Sequence, residues 1–241
     1  MKLHISYVFF ETAEACENLT YFLHSGLDEN CFMTLVVKDP NGIRNENIRK
    51  LIDKKWNVKV INTENVGYDF KGYLDSLDIL NFDVYEYFIL MNAGNIGPFY
   101  KGEGKWYDTF IEKIDNKTKV VGSNVCYIKG PKNKYNGSID YFNKPNISWG
   151  GWFCLADKIG IKILYDEYKK HNIKTFVDAH ALESVNGNII KAAGYDFTGF
   201  FVQNKRLDKK FLRVPHNSPY DAIIFKRKYN KQMKTNDLLT F

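Results

Sequence analysis

Apolar residues in the first part of the chain recur in two alternating rhythms. His4–Phe10 is a run of β-branched and aromatic residues with strand character. Thr12–Ser25 then places Ala13, Cys16, Leu19, Phe22 and Leu23 at helical spacing before Gly26. Cys31–Val37 and Trp56–Ile61 repeat the strand pattern, with a short helix over Asn45–Lys54 between them. Tyr68–Leu77 reads as a helix and Tyr87–Met91 as a fourth strand. Strands alternating with helices in this way predict a parallel, doubly wound α/β sheet with helices on both faces. Ligands of such sheets bind at the carboxyl ends of the strands. Chemistry is therefore expected just after them, in Phe9–Glu11, Asn62–Phe70 and Asn92–Phe99.

The second half is less regular. Trp106–Ile114 reads as a helix, Lys119–Ser123 as a strand, and Tyr127–Asn146 as a long polar loop. Ser148–Phe153 is expected to be a strand, followed by helices over Asp157–Lys170 and Thr175–Ala193, the latter closed by Gly194. No internal repeat and no Pro- or Ser-rich linker divides the chain. The expectation is one domain over residues 1–202, with an extension over 203–241 packing on it.

Composition narrows the class. The chain has 241 residues, 44% hydrophobic, 16% aromatic and 26% charged, which suits a globular core and excludes an aromatic-poor disordered chain. No apolar stretch approaches the length of about 20 residues that a membrane span needs. The opening lacks a basic, apolar leader, so the expected location is cytoplasmic. Four cysteines without a CxxC pair read as free thiols. The net charge of +6 is unevenly placed: ten Lys and Arg against three Asp after Gln203 give the extension +7 and leave the body at −1. That extension interleaves Phe211, Tyr220, Phe225 and Tyr229 with its basic residues. It could bind nucleic acid or rest on an anionic membrane surface, although no nucleic-acid-binding motif accompanies it.

Two segments carry candidate chemistry. Asn65-Val66-Gly67-Tyr68-Asp69 places a glycine at a strand-to-helix corner and an acidic side chain able to accept hydrogen bonds from ribose or sugar hydroxyls. Asn92-Ala93-Gly94-Asn95 follows the fourth strand and offers carboxamide oxygens there, suited to a diphosphate, a metal ion or a sugar. Each also has a plain reading, a helix-dipole carboxylate and a turn. Neither segment is a Walker A loop or a GxGxxG fingerprint.

The combination YVFFE, NVGYDFKGYLDSL and YEYFILMNAGNIGPF resembles a group of GT-A-type glycosyltransferases that includes rhamnan-synthesis F-type proteins and related enzymes of large DNA viruses and bacteria. Asn65, Gly67, Asp69, Phe70, Tyr73, Asn92, Gly97, Pro98 and Phe99 match its pattern, and the resemblance covers roughly residues 4–195. It implies a GT-A-like, mixed and mainly parallel sheet and a nucleotide-sugar donor carrying UDP, GDP or dTDP. A donor of this kind would lie near Phe9, Glu11, Asn65, Gly67, Asp69, Asn92 and Asn95. The resemblance further implies a glycan or lipid-linked acceptor near Trp149-Gly150-Gly151-Trp152, and Glu183, with Asp178 as the alternative, as general base of an inverting transfer. The family's Asp-x-Asp is replaced by Asn92-Ala93-Gly94, which puts a Mn2+ or Mg2+ requirement in doubt and leaves Asn92 and His216 as the metal candidates.

Overall fold

The computed structural model describes residues 1–128, 146–149, 152–202 and 223–226. The chain forms β1 (Leu3–Phe9), α1 (Ala13–Ser25), β2 (Cys31–Val37), α2 (Glu46–Ile52), β3 (Val58–Asn62), α3 (Tyr68–Asp78), β4 (Tyr87–Asn92) and β5 (Asn95–Ile96). It continues through α4 (Asp108–Ile111), β6 (Thr118–Ile128), β7 (Asn146–Ser148), β8 (Phe153–Asp157), α5 (Lys158–Tyr168), α6 (Phe176–Ala192), β9 (Asp196–Val202) and β10 (Phe225–Lys226).

Among the described residues one eight-stranded sheet runs β3-β2-β1-β4-β8-β6-β7, with β9 paired to β6. The β1–β2, β1–β4, β2–β3 and β6–β9 pairs are parallel. β8 pairs antiparallel with both β4 and β6, so the sheet is mixed. Strand alternation sorts side chains onto two faces. Leu3, Ile5, Tyr7 and Phe9 of β1 pack with Leu19, Phe22 and Leu23 of α1 and with Ile48 of α2. Val8, Phe88 and Leu90 look the other way, toward Phe70 and Tyr73 of α3, Leu164 of α5 and Val185 of α6.

The connection from β1 to β2 thus crosses one face and that from β3 to β4 the other. The winding reverses between β1 and β4, and ligands of open α/β sheets bind at the carboxyl ends beside such a reversal. α3 sits close on this seam. A Cβ on Gly72 would lie 2.7 Å from a methyl of Val8, and Ser76 Oγ meets Ser6 Oγ at 2.8 Å.

Several boundaries differ from the sequence reading. The strand expected over Ser148–Phe153 is replaced by β7 and β8, because Phe153-Cys154-Leu155-Ala156 is the apolar run that fits between β4 and β6. α4 keeps four residues of the helix expected over Trp106–Ile114. β9 was not foreseen: its FTGFFV run follows the glycine that ends α6. Two-residue β5 and β10 carry no periodic signal. They pair with each other, and Ile223 and Ile224 are buried beside them in the α1-side core. Cys16, Cys31 and Cys154 are free thiols, and burial pushes Cys31 and Cys154 up to about 12.

Candidate functional site

Three backbone segments meet at the reversal between β1 and β4. Gly67 enters α3 with φ +70°, and Tyr68 follows at φ +53°. This left-handed pair turns the chain sharply, and a Cβ on Gly67 would come within 2.4 Å of the Lys71 side chain. The turn delivers Asp69 in the first helical turn, against the end of β4.

There Asn92 Nδ2 donates to Asp69 Oδ2 at 2.6 Å. Asn92 Oδ1 accepts from Gly94 N at 3.0 Å and from Asn95 Nδ2 at 3.2 Å. Asn95 Nδ2 also reaches the backbone oxygens of Asn92, at 3.0 Å, and of Trp152, at 2.7 Å. From the other face, Asn18 of α1 donates to the Ala93 oxygen at 2.8 Å. The carboxamides therefore fix one carboxylate at a strand end, with Asn95 wholly buried and its Oδ1 lacking a hydrogen-bond partner among the described residues. The Asp69 side chain is only partly covered.

Lys38, the residue after β2, is a charged contributor that the sequence reading missed. Its ammonium is buried, donates to the Val66 oxygen at 2.8 Å, and is lowered from its ordinary value by burial. Asp75 and Asp69 counter that shift, and Lys71, which pairs with Asp75, adds to it. Two carboxylates and two ammonium groups thus share the seam. The available signal was a lysine ending an otherwise apolar strand.

The remaining candidates are distributed differently. Phe9 is fully buried in the α1-side core. Glu11 directs its carboxylate to the backbone N–H groups of Arg44, at 2.7 Å, and Asn45, at 3.1 Å. Asn65 and Gly67 line a cleft on the outer side of α3. Asp178 closes a capping box with Thr175 at the start of α6, and the N–H groups of Lys174 and Thr175 hold its carboxyl below the usual range. Glu183 lies mid-helix and half-buried, with its charge felt by Tyr73 of α3 and Tyr168 of α5. Burial first, and then charges including those of Asp69 and Glu183, raise the Tyr73 hydroxyl well above its ordinary value. Asp69 and Glu183 therefore bear on the same buried hydroxyl.

Both tryptophans of the expected acceptor segment are buried. Trp149 is 1% exposed and packs on the Phe197 ring at 5.4 Å, while Trp152 is 7% exposed in the α1-side core. The two indoles belong to different core clusters, Trp149 with α3, α5 and α6 and Trp152 with α1. Gly150, Gly151 and His216 lie outside the described residues, as do the aromatic and basic positions of the extension apart from Phe225 and Lys226.

A divalent ion does not fit the corner. Asn92 Oδ1 is already taken by two donors, which leaves Asp69 as its carboxylate. Among the described residues no three His, Cys, Asp or Glu side chains are grouped to hold a metal. No helix among them is long and apolar enough to cross a membrane.

No protein-family model matches the sequence, and no curated protein is similar to it. Solved structures do match the fold. The mannosyltransferase PcManGT of Pyrobaculum calidifontis, solved with GDP-Man and Mn2+, superposes with TM-score 0.53 and 14% identity over 87% of this chain and 58% of its own. S. aureus TarS 1–349 gives TM-score 0.47 and 12% identity over 86% and 59%. Its UDP complex gives 0.46 and 13% over 77% and 56%. The chain spans less than three fifths of the length of each. With the sheet order and the helix placement above, the architecture is a GT-A-like, Rossmann-like mixed sheet flanked by helices.

Proposed function

We propose that this chain transfers a sugar from a nucleotide-sugar donor to a hydroxyl of a glycan or lipid-linked acceptor. The observation that carries the reading is the Asp69–Asn92–Asn95 corner, fixed by hydrogen bonds where the winding of a GT-A-like sheet reverses. Ligands of open α/β sheets bind at that place, and Asp69 is suited to accept hydrogen bonds from ribose or sugar hydroxyls. Asn92 and Asn95 act through it as positioning residues. The nearby Lys38 ammonium offsets negative charge on the side where a diphosphate would approach.

In the transfer, the acceptor oxygen forms a bond to the anomeric carbon as the bond from that carbon to the phosphate oxygen breaks. The electrons of the broken bond leave with the nucleoside diphosphate, and the acceptor proton goes to a carboxylate. Glu183 suits that role better than Asp178, whose carboxyl is spent on capping and held low. Direct displacement of this kind inverts the anomeric centre. The group moved would be a hexosyl or deoxyhexosyl unit. The donor set supports no step through a metal.

Thermal denaturation with UDP-, GDP- and dTDP-sugars tests the reading. Stabilisation by the sugars of one nucleotide is expected. No stabilisation at millimolar concentration by any of them overturns it. Glu183→Gln should lower kcat while leaving that stabilisation in place.

A further inference from the structure

A cleft of about 880 Å³ lies between the outer side of α3 and the α5–α6 connection. Such a volume suits a ligand of several rings. One wall is Asn65–Tyr68, the segment that immediately precedes Asp69 in the chain. The walls meet where the Ile173 backbone oxygen approaches Gly67.

Two features mark what the cleft takes. Tyr68 and Phe176 stand exposed at 43% and 65%, their rings edge to face at 6.2 Å, and His180 flanks Phe176 at 5.9 Å. With Val66 and Val177, also about half exposed, they form an apolar patch of the kind that marks recognition surfaces. Aromatic faces stack on the C–H faces of sugar rings. The second feature is charge: Lys71, Lys169, Lys170 and Lys174 line the cleft against one acid, Asp78. Lys71 pairs with Asp75, Lys169 with Asp78 and Lys170 with Glu167, and Lys174 adds to these pairs to keep the balance positive.

We propose that this cleft is the acceptor groove and that it takes an anionic glycan, a sugar chain bearing carboxylate or phosphate groups. The proposal rests on the transferase reading, and it moves the acceptor from the buried tryptophans to Tyr68 and Phe176. Rings on the rim hold the sugar faces, the lysines hold the anions, and the chain end reaches toward Asp69.

The test is calorimetric titration of the full chain with a galacturonate octamer, its neutral methyl ester, inorganic polyphosphate and a single-stranded oligonucleotide. The galacturonate should bind at least about tenfold more tightly than its ester. Phe176→Ala and Lys174→Glu, both at exposed positions, should each weaken it by about fivefold or more. Nucleotide stabilisation should be unchanged in both variants. Equal affinity for polyphosphate with no effect of Phe176→Ala overturns the proposal, as does tighter binding of the oligonucleotide. Competition by the nucleotide for the same cleft also overturns it. Absence of glycan binding with nucleotide stabilisation intact overturns the groove alone, and absence of both overturns the transferase reading.

Discussion

Glu11 and Asp69 both stand at the carboxyl end of the sheet, and the fold spends their charges differently. Glu11 follows β1 on the α1 side and accepts from the main-chain N–H groups of Arg44 and Asn45. That bond ties the end of one strand to the entrance of α2, where Asn45 caps the helix. Asp69 enters on α3, from the opposite face, and meets side-chain donors at the end of β4. One carboxylate closes a loop, and the other joins a helix start to a strand end while staying partly covered. Position at a strand end is therefore not enough to make a ligand contact. The two differ in their partners, main-chain N–H groups for Glu11 and the Asn92 side chain for Asp69.

The seating of α3 gives the largest expected effect. Gly72→Val would drive a branched side chain into Val8, which a bare Cβ already reaches at 2.7 Å. Overpacking of this kind should cost about 3 kcal/mol in urea unfolding and pull Asp69 from Asn92. The Arg44 and Asn45 amides, on the other face, should keep their hydrogen-exchange protection. Unchanged stability would mean that α3 is not clamped to β1 as the contact requires.

Asp69→Asn separates charge from shape. The carboxamide oxygen can still accept from Asn92, so the fold should change by less than about 1 kcal/mol. Nucleotide-sugar affinity should fall about thirtyfold, near 2 kcal/mol, through loss of charged hydrogen bonds to the donor. An isotherm identical to that of the parent protein would remove Asp69 from the site.

The helices and strands of the first half were legible because each buries a single face, so period and chemistry agree. Asn65, Gly67, Asp69, Asn92 and Asn95 were legible as candidates because turn residues at strand ends are punctuated by glycine. Which of them meet was not legible. The Asp69–Asn92 contact spans 23 positions and depends on the reversal between β1 and β4. The burial of Trp149 and Trp152 was not legible, because an aromatic next to glycines has no periodicity to assign it a face. Tyr68 and Phe176 went unremarked because nothing in a helical pattern says which first-turn ring stays uncovered. Lys38 was hidden for the same reason, since its burial comes from the Val66 loop folding over it.

Acid separates the corner from the strand that supports it. His4, near the other end of β1, is buried against Tyr85 and Phe88, with Nε2 on Thr34 Oγ1, and burial lowers it from 6.5 to about 3. The unfolded chain takes up this proton and the folded chain does not. The stability is therefore complete above 6.5 and drains as pH falls toward about 3. At one unit below the unfolded value, near pH 5.5, the loss is about 1.4 kcal/mol. His4→Phe should flatten that slope by one proton, and an unaltered slope would remove His4 as its cause.

Glu11→Gln is expected to have the smallest effect. A glutamine keeps one oxygen for Arg44 or Asn45 and turns an amide N–H toward the other donor, so one charge-assisted bond is lost. The ion pair to the exposed Arg44 side chain, at 3.9 Å, adds little to that. The unfolding free energy should drop by about 1 kcal/mol, with the change localised to the entrance of α2. Nucleotide-sugar affinity, measured on the same protein, should stay within a factor of about two. A tenfold loss there would return Glu11 to the donor site, since a carboxylate that served the loop alone could be neutralised without the ligand sensing it.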